Sequence, residues 1–213
     1  MAGSDGGLSE QLDRLLPVFT ERLGAAHEAR EKALADCRQV IRLSSRAIRA
    51  THRGDSASAS DLIGQASEAL GRAREILGPY PAVTHAGFLH DAEKEYVEAV
   101  CVTHLVRRAN VPGPDDLGVE LPAWLKGLAE AASEMRRHML DLLRAGDLEE
   151  AEAVLGSVDD VYDLLVRIDY PDAITAGLRR TTDALRAVLE RSRSDLTTTV
   201  MQVRLQRAIE DRS

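Results

Sequence analysis

The sequence FLHDAEKEYVEAVCVTHLVRRAN, residues 88–110, contains the pattern that decides the fold. Its apolar side chains recur every three or four positions, at Phe88, Leu89, Ala92, Tyr96, Ala99, Val100 and Leu105. This spacing puts them on one side of an α-helix, where they can pack against a core. We therefore predict a helix over about residues 82–110.

The same periodicity continues on both sides of this stretch, with interruptions at glycine, proline and polar residues. The segments that show it are residues 8–53, 58–77, 121–145, 148–168, 173 to about 193, and 195 to about 211. Pro17 and Gly24 are expected to kink the first of these helices, and residues 111–118 form the clearest loop. No segment is long and polar enough to link two domains. The prediction is an all-α protein, a single-domain bundle of six or seven helices over residues 8–213 behind a flexible tail at residues 1–7.

The composition agrees with a helical bundle. Of the 213 residues, 44% are apolar, which is enough for a sizeable core, whereas only 3% are aromatic. The scarcity of aromatic residues and β-branched runs argues against a β-sandwich, a propeller or a barrel. Acidic residues outnumber basic ones by 35 to 27, and the net charge of -8 excludes a polycationic nucleic-acid coat. A local basic face is still allowed.

Cys37 and Cys101 both lie within apolar helical patterns. Cysteines in such positions are typical of reduced thiols packed in a core, and not of a secreted disulfide framework. No apolar run approaches the roughly 18 residues of a membrane span, and residues 1–7 lack the basic and apolar regions of a signal peptide. These features predict a soluble, cytoplasmic protein without a membrane partner.

Two pairs of glutamates are spaced so that each pair shares one side of a helix. Glu95 and Glu98 stand three residues apart, and Glu130 and Glu134 stand four residues apart in the segment 121–145. If the proline-rich loop turns the chain back, the two helices pack antiparallel and the two pairs face each other. Four clustered carboxylates repel one another unless they are protonated or hold a hard cation such as Mg²⁺ or Mn²⁺.

The alternative is that these glutamates form an ordinary solvated face, as acidic pairs on charged helices often do. A helical scaffold of that kind would point the four carboxylates away from one another. The sequence disfavours other metal sites, because it has no Glu-x-x-His motif of di-iron proteins and no His and Cys pair with zinc spacing. His104 lies on the side of its helix opposite Glu95, so we expect it in the core or an interface and not as a ligand.

Arginines recur every three or four residues near the end of the first helix, at Arg38, Arg42, Arg46, Arg49 and Arg53. This arginine ridge has a geometry that can contact several backbone phosphates without reading bases. The alternatives are a solvent face neutralised by ion pairs and a subunit interface. Lys126 and Arg137 extend the face of Glu130 by a turn on each side, so they are candidate neighbours of a phosphate.

Three segments resemble the translin family. The run Glu95-Tyr96-Val97-Glu98-Ala99, with His104 further on, resembles the Glu-Tyr-Val-Glu-Ala signature of the translin-associated factor X branch. Residues 44–53 resemble the run in the family's first helix, and residues 124–134 resemble its Tyr-Leu-Leu-Gly-Val-Ala-Asp segment and the glutamate that follows. Translin itself lacks the full acidic set, whereas the factor X branch has it.

The resemblance implies an all-α fold, a ring or hollow shell of subunits, and a Mg²⁺-dependent endoribonuclease acting on single-stranded RNA. The family's catalytic, metal-binding carboxylates correspond by position to Glu95, Glu98, Glu130 and Glu134. Where this chain has Glu130 the family usually has Asp, so that arm is longer by one methylene. Glu98 and Glu134 are assigned as metal ligands. Glu95 and Glu130 are assigned as ligands or as bases that orient water.

The prediction is thus a metal-dependent endoribonuclease that uses Mg²⁺, with Mn²⁺ as the alternative ion. Its nucleic-acid-binding residues would be Arg42, Arg46, Arg49, Arg53, Lys126 and Arg137. Its partners would be single-stranded RNA or single-stranded DNA, and further copies of the chain in a closed homo-oligomeric shell, of which an octamer is one form. The alternative function is a non-catalytic translin-like assembly that binds single-stranded nucleic acid through the arginine ridge alone.

Overall fold

The computed structural model describes residues 7–84 and 87–211 as nine α-helices, with no strand in these two ranges. In chain order the helices are α1 (Leu8–His52), α2 (Ser56–Leu77), α3 (Pro81–Thr84), α4 (Phe88–Val106), α5 (Pro114–Leu117), α6 (Leu121–Ala145), α7 (Leu148–Val166), α8 (Asp172–Thr175) and α9 (Leu178–Glu210). The helices α3, α5 and α8 have only 4 residues each. The prediction of an all-α bundle is confirmed. Residues 1–6 of the predicted tail lie outside the described residues.

The helices α4 and α6 lie at the centre of the bundle. α4 packs against α1, α2 and α6, and α6 packs in turn against α7 and α9. Short side chains dominate this packing, and α6 completely buries Ala123, Ala129, Ala131 and Ala132. Side chains from all six long helices join one continuous apolar core, which extends from Ala33 on α1 to Leu196 on α9.

The close contact between α4 and α6 depends on a glycine. A Cβ atom at Gly127 would lie 2.6 Å from the carbonyl oxygen of Lys94 and 2.7 Å from Cβ of Val97. Neither atom can rotate away, because one belongs to the backbone of α4 and the other to the stem of a buried side chain. Gly127 therefore permits the helix contact that brings glutamates of α4 and α6 together.

The predicted boundaries around α4 and α5 differ from the structure. The helix predicted over residues 82–110 is not continuous, because α4 begins only after Gly87, whose φ of 92° is favourable for glycine alone. α4 also ends four residues early, at Val106. The predicted loop at residues 111–118 contains the short helix α5.

The two C-terminal helices predicted at residues 173–193 and 195–211 are instead the short helix α8 and the single helix α9. Ser192 does not interrupt α9, because its hydroxyl donates to the backbone carbonyl four residues earlier at 2.9 Å. Asp195 would be in position to cap a new helix, but its carboxylate pairs with Arg136 of α6 at 2.7 Å. Contacts with α6 therefore override the local stop signal.

The first part of α1 extends beyond the core. Its buried side chains begin at Ala29, whereas the large apolar residues before it are exposed: Leu8, Leu12, Leu15, Leu16, Val18, Phe19 and Leu23. α1 is one helix through Pro17 and Gly24, and the kinks expected at these two residues stay a prediction. Close to the other end of the chain, Met201 and Leu205 of α9 are also exposed.

Both cysteines lie in the core, as predicted. Burial raises the pKa of the Cys37 thiol to about 11 and the pKa of the Cys101 thiol to about 12, so both thiols stay protonated at neutral pH. Within the described ranges, no helix combines the length and the apolar character that crossing a membrane would require.

Candidate functional site

Three glutamates of α4 and α6 converge near Gly127. One carboxylate oxygen each of Glu95, Glu98 and Glu130 lies within 4.8 Å of the other two, in partly buried positions. We call these three residues the acid cluster. These three carboxylates do not point apart, as they would in the alternative of a helical scaffold. Three carboxylate oxygens this close together could hold a divalent cation, since hard cations prefer oxygen ligands.

The charge of the acid cluster is incompletely balanced by the protein. Burial raises the pKa of Glu98 from 4.5 to about 8, and the charges of Glu95 and Glu130 add to this effect. The carboxyl of Glu98 is therefore mostly protonated at neutral pH when no cation is bound. A raised pKa among facing carboxyl groups indicates a site where an added positive charge is favourable.

Lys94 already supplies one positive charge. Its ammonium donates to Oε1 of Glu95 at 3.0 Å and to Oε2 of Glu130, and the side chain is only 15% exposed. Burial alone would lower the pKa of Lys94, but the hydrogen bonds to the two carboxylates outweigh burial and raise it. The oxygens of the acid cluster thus already accommodate a cationic group.

Glu134 stands outside the acid cluster and pairs with a histidine of α1. Its Oε1 lies 2.8 Å from Nε2 of His52, whose side chain is 2% exposed. This hydrogen bond lowers the pKa of Glu134, so the ionised carboxylate accepts and Nε2 carries the hydrogen. Nδ1 of His52 is buried and has no partner among the described residues. His52 therefore fixes the orientation of the Glu134 carboxylate.

A cleft of about 330 Å³ joins these acids to basic side chains of α1 and α6. Its lining residues are Ser45, Ile48, Arg49, Glu95, Glu98, Glu134 and Arg137. Nη1 of Arg49 donates to Oγ of Ser45 at 2.7 Å, and neither Arg49 nor Arg137 forms an ion pair within the described residues. Carboxylates and unpaired guanidiniums in one cleft can bind a cation and a phosphate side by side.

The arginine ridge is exposed along the second half of α1. In the part of the chain that the structure describes, none of its five side chains forms an ion pair. The structure therefore does not support the alternative of a face neutralised by ion pairs. Because Arg49 also lines the cleft, the ridge leads directly to the acid cluster.

Lys126, predicted as a neighbour of the phosphate, does not reach the cleft. It lies one turn before Glu130 on α6, but its charge acts on His90 of α4, and it is not among the residues that line the cleft. His104 is also away from the site, but it lies at the end of α4 and not in the core, which was one of the two places expected for it. Its Nδ1 lies 2.7 Å from the carbonyl oxygen of Asn110, so this half-buried histidine closes the end of α4.

Lys94 and His52 are candidate functional residues that the sequence pattern does not single out. Lys94 and Glu95 are adjacent on α4 and leave the helix in different directions, so their contact depends on the long lysine stem. The role of His52 near the site could have been inferred from its position on the face of α1. Ser45, Ile48 and His52 recur at intervals of three and four residues, on the face of α1 that meets the site.

Sequence comparison finds one partial relative among curated proteins, and no family model matches the chain. The relative is an uncharacterized protein of Methanocaldococcus jannaschii, 28% identical over 120 residues, which cover 56% of this chain and 54% of that protein. The chain thus spans about half the length of this curated relative.

Solved structures are similar to this chain over most of its length. AfC3PO of Archaeoglobus has a TM-score of 0.81 at 29% identity, covering 88% of this chain and 97% of that one. AfC3PO in a complex with duplex RNA has a TM-score of 0.78 at the same identity and coverage. Apo-NeC3PO, at a TM-score of 0.77 and 21% identity over 92% of this chain and 100% of that one, shows the fold alone. C3PO proteins are of the translin type, so the chain has the translin-like fold and its resemblance to the translin family is confirmed.

Proposed function

We propose that this chain is a metal-dependent endoribonuclease that cleaves single-stranded RNA. The observation that carries the proposal is the acid cluster, which shares one cleft with Arg49 and Arg137. Hydrolysis of a phosphodiester requires neutralisation of the phosphate charge and activation of a water molecule. Carboxylates that bind a cation and guanidiniums that bind a phosphate are the side chains this reaction needs.

Mg²⁺ is the cofactor that suits an all-carboxylate donor set, and Mn²⁺ is the alternative. Glu95, Glu98 and Glu130 would hold the ion, and the raised pKa of Glu98 is consistent with a site that favours an added cation. When bound, the ion polarises the phosphate and lowers the pKa of the attacking water. Glu130 stands where the family usually has Asp. Its longer side chain places a carboxylate oxygen beside those of Glu95 and Glu98.

We assign to Glu134 the role of orienting the attacking water. It lines the cleft, it is ionised, and it lies outside the three-oxygen set. This changes the role that the sequence suggested, which was that of a metal ligand. As water attacks phosphorus, its proton passes to the Glu134 carboxylate, the bond to one ester oxygen breaks, and that oxygen takes a proton from solvent and leaves as an alcohol. His52 acts as a positioning residue for that carboxylate.

The RNA backbone would lie along the arginine ridge. Guanidiniums that recur on one helix face bind phosphates without reading bases, so binding should be salt-sensitive and tolerant of sequence. Arg49 at the cleft would bring one phosphate next to the acid cluster. Since AfC3PO has been solved in a complex with duplex RNA, duplex RNA is the competing substrate in any test.

We also propose that the protein forms a homo-oligomeric shell. The seven exposed apolar side chains at the start of α1 form an uncovered stripe of a kind that marks protein interfaces. Further copies of the chain would cover it. A monomeric mass by light scattering at micromolar protein, in both low and high salt, would contradict this assembly.

The second candidate function is a non-catalytic assembly that binds single-stranded nucleic acid. The observation that favours it is the arginine ridge, whose five side chains have no ion-pair partner in the described part of the chain. This alternative predicts binding of RNA and of single-stranded DNA without cleavage, whether or not Mg²⁺ is present.

One assay separates the two functions. Purified protein is incubated with an end-labelled single strand of RNA, and with the same strand in a duplex, in Mg²⁺ or in EDTA. We expect cleavage of the single strand in Mg²⁺ only, and none by Glu98→Gln. The matched control is Glu68→Gln, because Glu68 is an exposed glutamate of α2 away from the cleft. Wild-type cleavage by Glu98→Gln refutes the proposed site, and binding without cleavage by the wild type supports the second function.

A further inference from the structure

Lys94 contacts the acid cluster but has no role in the proposed hydrolysis. We propose that its ammonium is a built-in counter-cation, which occupies the cluster in the metal-free protein and is displaced when a divalent cation binds. This inference rests on the proposed metal site and concerns what sets the affinity of that site.

The ammonium contacts the same residues that would hold the ion. It donates to Oε1 of Glu95 at 3.0 Å and to Oε2 of Glu130, and these two residues belong to the set whose oxygens lie within 4.8 Å of one another. Its charge also acts on Glu98. All three members of the acid cluster therefore interact with this one lysine.

The burial of Lys94 indicates that its charge has a structural role. An ammonium that is only 15% exposed has lost most of its hydration, and the carboxylates must compensate that loss. In return, the ammonium reduces the repulsion among the three acids and keeps them close together without a metal ion. The backbone of Lys94 is fixed at the same time, because its carbonyl oxygen lies against Gly127.

A divalent cation and the ammonium cannot both occupy the cluster. If both bonded the same oxygens, a doubly charged ion and the ammonium would lie about 5 Å apart, where their repulsion in a partly buried site weakens binding by well over a hundredfold. The lysine stem has four flexible carbons, so the ammonium can leave while the backbone of α4 stays in place. Lys94 should therefore lower the affinity of the cluster for divalent cations.

The first test titrates Mn²⁺ into metal-free protein by isothermal titration calorimetry. We expect Lys94→Met to bind Mn²⁺ about tenfold to a hundredfold more tightly than the wild type, because the competing charge is gone. Lys32→Met is the matched control, since Lys32 is an exposed lysine on α1 that pairs with Glu28 of the same helix. Equal or weaker affinity of Lys94→Met overturns the displacement alone. Failure of both the wild type and Lys94→Met to bind Mn²⁺ overturns the proposed metal site as well.

The second test uses the wild type, so it remains decisive if Lys94→Met does not fold. The chain has three lysines, Lys32, Lys94 and Lys126, which mass spectrometry can follow separately. Acetic anhydride should label Lys94 slowly in EDTA and several-fold faster in Mn²⁺, because the displaced ammonium loses its carboxylate partners. The labelling of Lys32 should not change. An unchanged or slower rate at Lys94 in Mn²⁺ shows that the ammonium stays, and overturns the inference.

Discussion

Replacement of Glu98 by Gln should stabilise the metal-free protein increasingly as the pH rises from 4 to 7. Burial, and then the charges of Glu95 and Glu130, raise the pKa of Glu98 from 4.5 to about 8 in the folded state. In the unfolded chain this carboxyl titrates near its ordinary value. Between these two pH values the folded state therefore binds more protons than the unfolded state, so the stability of the wild type falls as the pH rises. The Gln amide does not titrate and removes this loss.

The magnitude follows from proton linkage. Since pH 7 lies 2.5 pH units above the ordinary value of 4.5 and still below about 8, the folded state must keep a proton that the unfolded chain has released. At roughly 1.4 kcal/mol per pH unit, the free energy of unfolding should fall by about 3 kcal/mol between pH 4 and pH 7. The advantage of Glu98→Gln over the wild type should grow by the same amount.

Urea unfolding in EDTA, followed by circular dichroism at one protein concentration, measures this difference. Both proteins are unfolded at several pH values between 4 and 8, together with Glu68→Gln as a control on the exposed face of α2. The control should change in parallel with the wild type. If the difference between Glu98→Gln and the wild type does not change with pH, Glu98 is not held protonated by the fold and the reasoning is wrong.

Further substitutions test other parts of the structure. Gly127→Ala should cost about 1–3 kcal/mol of stability by urea unfolding and abolish RNA cleavage. As a control, Gly64→Ala should gain about 1 kcal/mol, because the added Cβ meets no atom of the described residues within 4 Å. His52→Gln should lower kcat for RNA about tenfold with little change in KM, and a rise in KM alone would contradict its positioning role. The double variant Arg46→Gln and Arg49→Gln should weaken binding to all single strands and lower the salt slope by about 1.4, at roughly 0.7 for each lost phosphate contact. A wild-type slope together with smaller species would identify the ridge as a subunit interface.

The helices α6 and α9 show where periodicity predicts the fold and where it fails. The prediction of 121–145 agrees with α6, because an uninterrupted apolar pattern ends at Gly146, whose φ of 80° closes the helix. The break predicted within α9 does not occur. The polar side chains beside that break, Ser192 and Asp195, bond to a carbonyl in the same helix and to an arginine of α6, and a local pattern contains no information about that second contact.

For the site, helical spacing predicted which glutamates share a helix face, whereas the expectation that the two faces meet came from the loop between the two helices. Glu130 joins the acids of α4 because Gly127 sets the distance between the two helices. Glu134 turns instead to His52, which is 82 positions away in the chain. Lys94 enters the cluster through a flexible stem whose direction depends on packing. These three contacts arise from tertiary structure, so spacing within one helix could not predict them.

The exposed start of α1 would make part of the secondary structure depend on protein concentration if further copies of the chain cover it. Residues 8–28 form roughly 30 Å of helix without one buried side chain. This segment gains no stability from packing within its own subunit, so it is the least stabilised part of α1 unless another surface covers its seven exposed apolar side chains. If a second copy of the chain covers these side chains, association and helix formation are one coupled equilibrium. Dilution would then reduce the mass of the particle and its helix content together, so a dissociated subunit would also be a partly unfolded one.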